Sequence, residues 1–564
     1  MKQIIIFFTL LLNTLIAFCQ INEGGQPYSF SVDINQPIET FILQPPSLDS
    51  IIKQDSVSDL YRVAVNVPCQ ISILNKGSWT HLNNGYKVWR LAIKIPQAKG
   101  LGIYFNDEIV VPKQSQLFVY NKNKTQILGA YTNNTPPFKA IEVVEGDELI
   151  IEFQTPISND NYPNLNINEI AYFYRGFESK FAYYNRLNHQ NRDNGSCEVN
   201  VACDEGILWQ KQIDAVVLYS FKDGGYTYVC SATIINNTNF DCKPYILTAD
   251  HCGHPTTSTQ VNTNIWYFNY QNPNCDVGST LSYNGNLSQT MVGGKLRASS
   301  SLGNYSNNTN LSVNGSDFVL IELNTNIPES YHPYFAGWSL DDTPSNSGEC
   351  IHHPGGSDKK ISTYASPIFT TSYNEQSNNQ FHWGVIWSAT QNGHGVTEGG
   401  SSGSPLFNSK GQIIGALSGG AATCESPTLS DLYGKFNIAW QSEGMWANQR
   451  LNYWLDSSNT KYKSINGSYY PCSNTPITDS AFIKNLIDVT IYPNPTQNLL
   501  YIDLLYVTDS ITQITITDLT GKKVYSIYQP EGILIIDFTN FAIGTYFVKI
   551  ESESEILIKK IIKI

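Results

Sequence analysis

Charge is what this chain has little of. Only 15% of its 564 residues are Asp, Glu, Lys or Arg, and they sum to a formal -13. So few cations argue against nucleic acid as a partner and against a polybasic membrane patch. Histidine is sparse too, and none follows His394. No C-x-x-C or H-E-x-x-H spacing occurs, so neither a metal nor a cofactor is expected. Past the N-terminus, no apolar run approaches the roughly 20 residues that a membrane-spanning helix needs. Aromatics at 12%, with abundant Asn, Ser and Thr, suit an exported β-rich protein instead. The length predicts two to four domains.

Met1-Lys2 followed by the apolar run Ile4 to Ala17 reads as a signal peptide, residues 1–19, cleaved before Gln20. The bulky Phe18 ahead of Cys19 argues against a lipoprotein. Cysteine usage agrees with export. Of 11 cysteines, eight crowd the middle of the chain: Cys197, Cys203, Cys230, Cys242, Cys252, Cys275, Cys350 and Cys424. A dense, even set in an exported domain predicts disulfides. Cys69 and Cys472 stand apart, with no partner to assign.

Composition divides the chain beyond the signal peptide into residues 20–192, 193–471, a linker over 472–485, and 486–564. The first zone alternates like strands. In Val88 to Ile95, for example, Trp89, Leu91, Ile93 and Ile95 share one face and Arg90 and Lys94 the other. Residues 178–196 are polar and carry Lys180, Arg186 and Arg192, which suits an exposed, cleavable link. The last zone, with strands such as Gln513 to Thr517, predicts a small β-sandwich. The fold class expected throughout is all-β.

Chemistry gathers in the middle zone. In Gly399-Gly400-Ser401-Ser402-Gly403-Ser404-Pro405, glycines allow a tight turn that brings backbone N–H groups close to a ligand. A serine hydroxyl needs a base to act as a nucleophile, and the base needs an orienting carboxylate. His251 ends the apolar stretch Leu247-Thr248-Ala249-Asp250-His251-Cys252, and Asp317 opens the buried-strand pattern Phe318 to Leu323. His251, Asp317, Ser402 is the chain order of chymotrypsin-like double barrels. The same turn satisfies the G-x-S-x-G elbow of α/β-hydrolases with Ser401 as nucleophile. That fold requires a histidine after the serine, and there is none.

These segments, with Trp266 to Gln271, Ile351-His352-His353-Pro354 and Ser430-Asp431-Leu432-Tyr433-Gly434, resemble the secreted lysyl endopeptidases of the trypsin-like serine proteases. The resemblance implies two six-stranded β-barrels with the site between them. It implies His251 as general base, Asp317 as orienting acid and Ser402 as nucleophile. The N–H groups of Gly400 and Ser402 would form the oxyanion hole, and Ser418 and Gly419 would line the substrate strand. Trypsins place an aspartate six residues before the nucleophile; Val396 stands there, and Asp431 occupies the family's downstream position for reading a basic side chain. Glu398 is a weaker candidate for that task. The well-known family members carry a histidine where this chain has Ser418, which bears on activity and on lysine-over-arginine preference.

The implied bridges are Cys197–Cys424, Cys203–Cys275 and Cys230–Cys252, with Cys242 and Cys350 left as a possible fourth pair. Ser401 replaces the aspartate that in trypsin binds the new N-terminal amine, so no such ion pair is expected. Residues 20–192 resemble the propeptide found ahead of such proteases. The tail, with Tyr492-Pro493-Asn494-Pro495 and Gly544-Thr545-Tyr546, resembles a type IX secretion sorting domain. The expected protein is thus a secreted or cell-surface serine endopeptidase cutting after lysine, with arginine as the alternative, and with peptide substrates and the secretion machinery as partners. A glutamate-specific relative and a catalytically silent adhesin on the same fold are the competing readings.

Overall fold

A computed structural model describes residues 23–175, 197–275, 287–302, 315–441, 443–472 and 489–563, less 33, 35, 56–59, 374–378, 505–510, 520, 531–532 and 553–555. The signal peptide, most of the 472–485 linker, and Lys180, Arg186 and Arg192 lie outside those residues. The chain is mostly β, 44% strand against 11% helix. It divides into two compact units, Met1–Asn474 and Thr475–Ile564.

The first unit is built on three large sheets. A six-stranded sheet centres on Tyr86–Lys94 and Glu148–Pro156. Its burial departs from the alternation expected of Val88 to Ile95. Arg90 is buried along with Trp89 and Leu91, because Phe30 and Ile38 pack with Phe118 and Tyr120 on the face that alternation assigned to water. Gln36 O accepts from the Arg90 guanidinium at 2.9 Å, and Thr40–Ile42 pairs in parallel with Ala92–Lys94. A strand covered on both sides has no reason to be polar on one.

An eleven-stranded sheet crosses the expected boundary at residue 192. Its first half, Tyr61–Ile71, Ile167–Phe173, Gly100–Ile109 and Phe138–Glu145, runs without a break into Tyr226–Ile234, Val216–Asp223, Ile265–Tyr267 and Thr290–Val292. Tyr245–Thr248 bridges from Tyr226–Ile234 to Val319–Glu322. One hydrophobic core spans both halves, with Val63, Ile103 and Ile141 joining Leu218, Val229 and Trp266. The ten-stranded sheet carries Gly348–His352, Pro405–Asn408, Ile413–Gly420, Ser430–Lys435 and His382–Ile386, over separate cores.

Four disulfides staple this unit: Cys197–Cys424, Cys203–Cys275, Cys230–Cys252 and Cys242–Cys472. The last overturns the Cys242–Cys350 expectation. Cys350 sits fully buried in the strand Gly348–His352, its thiol donating to Ser404 Oγ at 3.2 Å, while Cys242 and Cys472 have Cα atoms 5.4 Å apart. Residue 472 therefore belongs to the first unit and not to a linker. The bridge ties positions 230 residues apart, so Cys472→Ser is expected to cost about 5 kcal/mol by the chain-entropy argument. A lowered Tm and a missing Cys242–Cys472 peptide in a non-reducing map would register it.

The second unit packs two sheets over one core. Thr490–Tyr492, Leu499–Asp503 and Ile533–Asp537 face Lys523–Tyr528, Ile511–Asp518, Gly544–Ser552 and Ile556–Lys563. Leu500, Ile502 and Ile536 from one sheet meet Ile514, Ile516 and Val548 from the other.

Candidate active site

Strand register brings the imidazole and the carboxylate together. Thr248 pairs with Val319, so the residues just beyond Thr248 lie beside those just before Val319. His251 Nδ1 stands 2.7 Å from Asp317 Oδ2, and the His251 backbone N–H donates to Asp317 Oδ1 at 2.9 Å. Asp317 is fully buried and has φ +54°, a left-handed conformation that aspartate tolerates better than most residues. The disulfide Cys230–Cys252 pins the adjoining turn.

Burial alone would raise the Asp317 carboxyl. The charge and hydrogen bonds of His251 outweigh it and hold the group below its ordinary value, with a further lowering from the hydroxyl of nearby Ser418. For His251, burial works toward the neutral ring. The Asp317 charge and hydrogen bond win, so the imidazole lies above the usual histidine value.

The glycine turn packs directly on the strand that carries His251. A Cβ at Gly403 (φ +78°) would lie 2.1 Å from Thr248 Oγ1 and 2.7 Å from Ala249 N, so only glycine fits there. Gly400, at φ +96°, is equally closed, with His353 O 2.8 Å from where a Cβ would go. Ser231 braces the turn from beneath. Its N–H donates to Ser402 O and its hydroxyl to Gly400 O, both at 2.9 Å. Among the described residues, the N–H groups of Gly400 and Ser402 donate no hydrogen bond, and none joins Ser402 to His251. Serine–histidine contacts are often long before substrate arrives.

Asp431 lies in the strand Ser430–Lys435, opposite Gly420 and Val385. It is 1% exposed and accepts from Trp387 Nε1 and Thr397 Oγ1 at 2.7 Å and from Ala422 N at 3.1 Å. Burial pushes its carboxyl up to about 6 against those three donors. Ser418 and Gly419 occupy the neighbouring strand Ile413–Gly420, Ser418 buried and Gly419 partly exposed. Val396 is fully buried. The backbone of Glu398 brackets Ser401, accepting from its N–H at 2.9 Å and donating to its Oγ at 3.1 Å.

Three parts of this arrangement escaped the sequence reading. His352 Nδ1 lies 2.7 Å from Ser401 Oγ, with Ser362 Oγ 3.1 Å from its other nitrogen. Burial drives that ring down to about 3, so it is neutral. The contact between His352 and Ser401 is therefore one between uncharged groups. Trp387 and Thr397 hold Asp431. Glu443, fully buried, accepts from both the N–H and the Oγ of Ser316, at 2.5 and 2.7 Å, and so anchors the turn that presents Asp317. The segment Ile351-His352-His353-Pro354 is marked by resemblance without a task for His352, and no short motif marks Trp387, Thr397 or Glu443.

Burial lifts Glu443 to about 7. A carboxyl raised on folding contributes stability that is complete below its unfolded value near 4.3 and declines until pH passes the folded one. Relative to Glu443→Gln, the wild type is therefore expected to lose stability from about pH 4 to about pH 7. Glu443→Ala, which leaves Ser316 without its acceptor, should lower kcat at least about tenfold with KM unchanged, while Gln retains activity. Thermal melts and steady-state kinetics across that range check both.

Residues 191–434 match the family model for the lysyl endopeptidase C-terminal domain. By that match, this stretch is lysyl endopeptidase-like. It is similar to the lysyl endopeptidase of Pseudomonas aeruginosa, 28% identical over 306 residues that cover 51% of this chain and 58% of that relative. The chain thus spans less than two thirds of that relative's length. Residues 490–564 match the secretion system C-terminal sorting domain, which indicates export across the outer membrane to the exterior or the cell surface. Solved structures with partial likeness include the protease Anisep from Arthrobacter nicotinovorans, at 18% identity and TM-score 0.27, covering 39% of this chain and 90% of that one. The thermostable serine protease AL20 is 15% identical, also at 0.27, over 40% and 92%.

Proposed function

We propose that this lysyl endopeptidase-like domain is a serine endopeptidase that cuts on the C-terminal side of lysine. The observation that carries the reading is the His251–Asp317 hydrogen bond, with the nucleophile turn packed on the strand that delivers His251. Held at Nδ1 by Asp317, the imidazole keeps Nε2 unprotonated to take the Ser402 hydroxyl proton as Oγ attacks the carbonyl carbon. The N–H groups of Gly400 and Ser402 then receive the oxyanion. The imidazolium, stabilised by Asp317, returns the proton to the leaving amine. Water repeats the sequence on the acyl-enzyme.

Asp431 supplies the selectivity. A buried carboxylate favours a cationic side chain brought to it and rejects an acidic one. The finer architecture belongs to the same proposal: two barrels over 193–471, a propeptide over 20–192, and a linker from about 473 to 485. Digestion of a peptide library, read by mass spectrometry, tests the function. Cuts after lysine, with arginine secondary, are the expected result. Cuts after glutamate would move the chain to the glutamate-specific relatives, and no cuts at all would favour a silent binding protein.

The sorting domain at 490–564 makes the secretion machinery the second partner. Deleting residues 486–564 is expected to leave the folded protease in the periplasm, as fractionation followed by immunoblotting would show.

A further inference from the structure

We infer that the N-terminal β zone is a lasting subunit of the protease, docked by strand addition and retained after the chain between them is cut. This rests on the reading of residues 20–192 as a propeptide.

The docking is backbone to backbone. Tyr61–Ile71 lies antiparallel on Tyr226–Ile234, with Val65 opposite Tyr226, Ala64 opposite Thr227, Arg62 opposite Tyr228 and Tyr61 opposite Val229. A sheet edge left open would be a template for any other strand, and this pairing closes it. Side chains seal the seam. Tyr104 OH donates to Thr227 Oγ1 at 2.9 Å, Thr227 Oγ1 donates to Asn66 Oδ1 at 2.8 Å, and Asn66 N–H donates to Gly225 O at 2.8 Å. Lys222 pairs with Glu169, and the Arg62 guanidinium stacks 4.1 Å from the Tyr226 ring centre. A second seam lies between Phe138–Glu145 and Thr290–Val292, where buried Glu142 accepts from Thr290 Oγ1 at 3.0 Å and from Tyr131 OH at 3.3 Å.

Departure of the N-terminal zone would strip these groups of partners and split one continuous apolar core. A cut in the connecting stretch removes none of them.

The docked zone also leaves the catalytic groups alone. Among the described residues, no hydrogen bond, ion pair or ring contact runs from residues 23–175 to His251, Asp317, Ser402 or Asp431. It meets instead the first half of the strand whose Ser231 braces the nucleophile turn, two residues beyond Val229. The partner is therefore a scaffold for that strand and not a plug in the cleft.

The test uses the full chain with a recognition sequence for an unrelated, sequence-specific protease inserted between residues 178 and 196. After complete cutting, both fragments are expected to leave a gel-filtration column in one peak at micromolar concentration, with the amides of Tyr226–Val229 still slow to exchange with deuterium. Asn66→Ala with Tyr104→Phe, which removes the buried seal without adding bulk, should raise the dissociation constant between fragments at least tenfold. Separate elution of the uncombined N-terminal fragment beside a folded protease would overturn the inference. Peptide cleavage assayed on the same fractions separates the two claims: a co-eluting pair that cuts nothing defeats the protease reading alone, and a released fragment beside a fully active protease defeats this one alone.

Discussion

Replacing Ser402 with alanine is expected to lower kcat on a lysyl peptide by about 10⁶-fold while the Tm stays within a degree or so of wild type. The two halves of that expectation come from different atoms. The loss is large because the hydroxyl is the atom that forms the acyl bond, and the residual rate reflects only binding and the oxyanion site. The stability is spared because Ser402 holds its place through the backbone, its carbonyl accepting from Ser231 N–H. The adjacent serine should behave in the opposite way. Ser401 Oγ is tied to His352 and to the Glu398 N–H, so Ser401→Ala is expected to loosen the turn and lower Tm with a much smaller loss of rate. Turnover of Ser402→Ala within tenfold of wild type would hand the nucleophile to Ser401 and dismantle the triad. Activity should also rise with pH across a limb set above the ordinary histidine value, because His251 acts as a base only when neutral and Asp317 favours its charged form.

His251, Asp317 and Ser402 drew notice because each carries its own local sign: an apolar strand ending in histidine, an acid at a strand mouth, a serine among glycines. What brings the first two together is a strand pairing, Thr248 with Val319, that no single segment declares. Likewise, alternation in Val88 to Ile95 located a strand and missed that Phe30 and Ile38 cover its polar face, since covering is a property of a distant segment. The Cys472 partner was hidden for the same reason: 230 residues of chain must fold before the two thiols meet. Glu443 was silent, and the resemblance at residues 351–354 gave His352 no task, because a carboxyl or an imidazole that merely holds a turn has no spacing rule. The join at Tyr226–Val229 is the strongest case. Composition draws a boundary near residue 192, yet backbone pairing, which is blind to side-chain identity, runs straight across it.

For Asp431→Asn the expected outcome is a fall of about 10⁴-fold in kcat/KM for lysyl peptides, with much smaller change on peptides bearing a neutral side chain at the same place. The amide keeps an oxygen for Trp387 and Thr397 but places an N–H₂ where Ala422 N–H now donates, so a modest drop in Tm should accompany the switch. The pH dependence supplies a sharper criterion. A carboxyl at about 6 is ionised above that value and neutral below it. As pH falls through 6, the pocket of the free enzyme loses its charge and with it the attraction for lysine. His251 titrates as well, but its protonation slows every substrate alike and cancels in the ratio of lysyl to neutral cleavage. That ratio should therefore fall in acid for the wild type and stay flat and low for the asparagine variant. A variant that still prefers lysine, with the acid limb of the ratio intact, would transfer the charge recognition to Glu398 and leave Asp431 as a buried acceptor for Trp387 and Thr397.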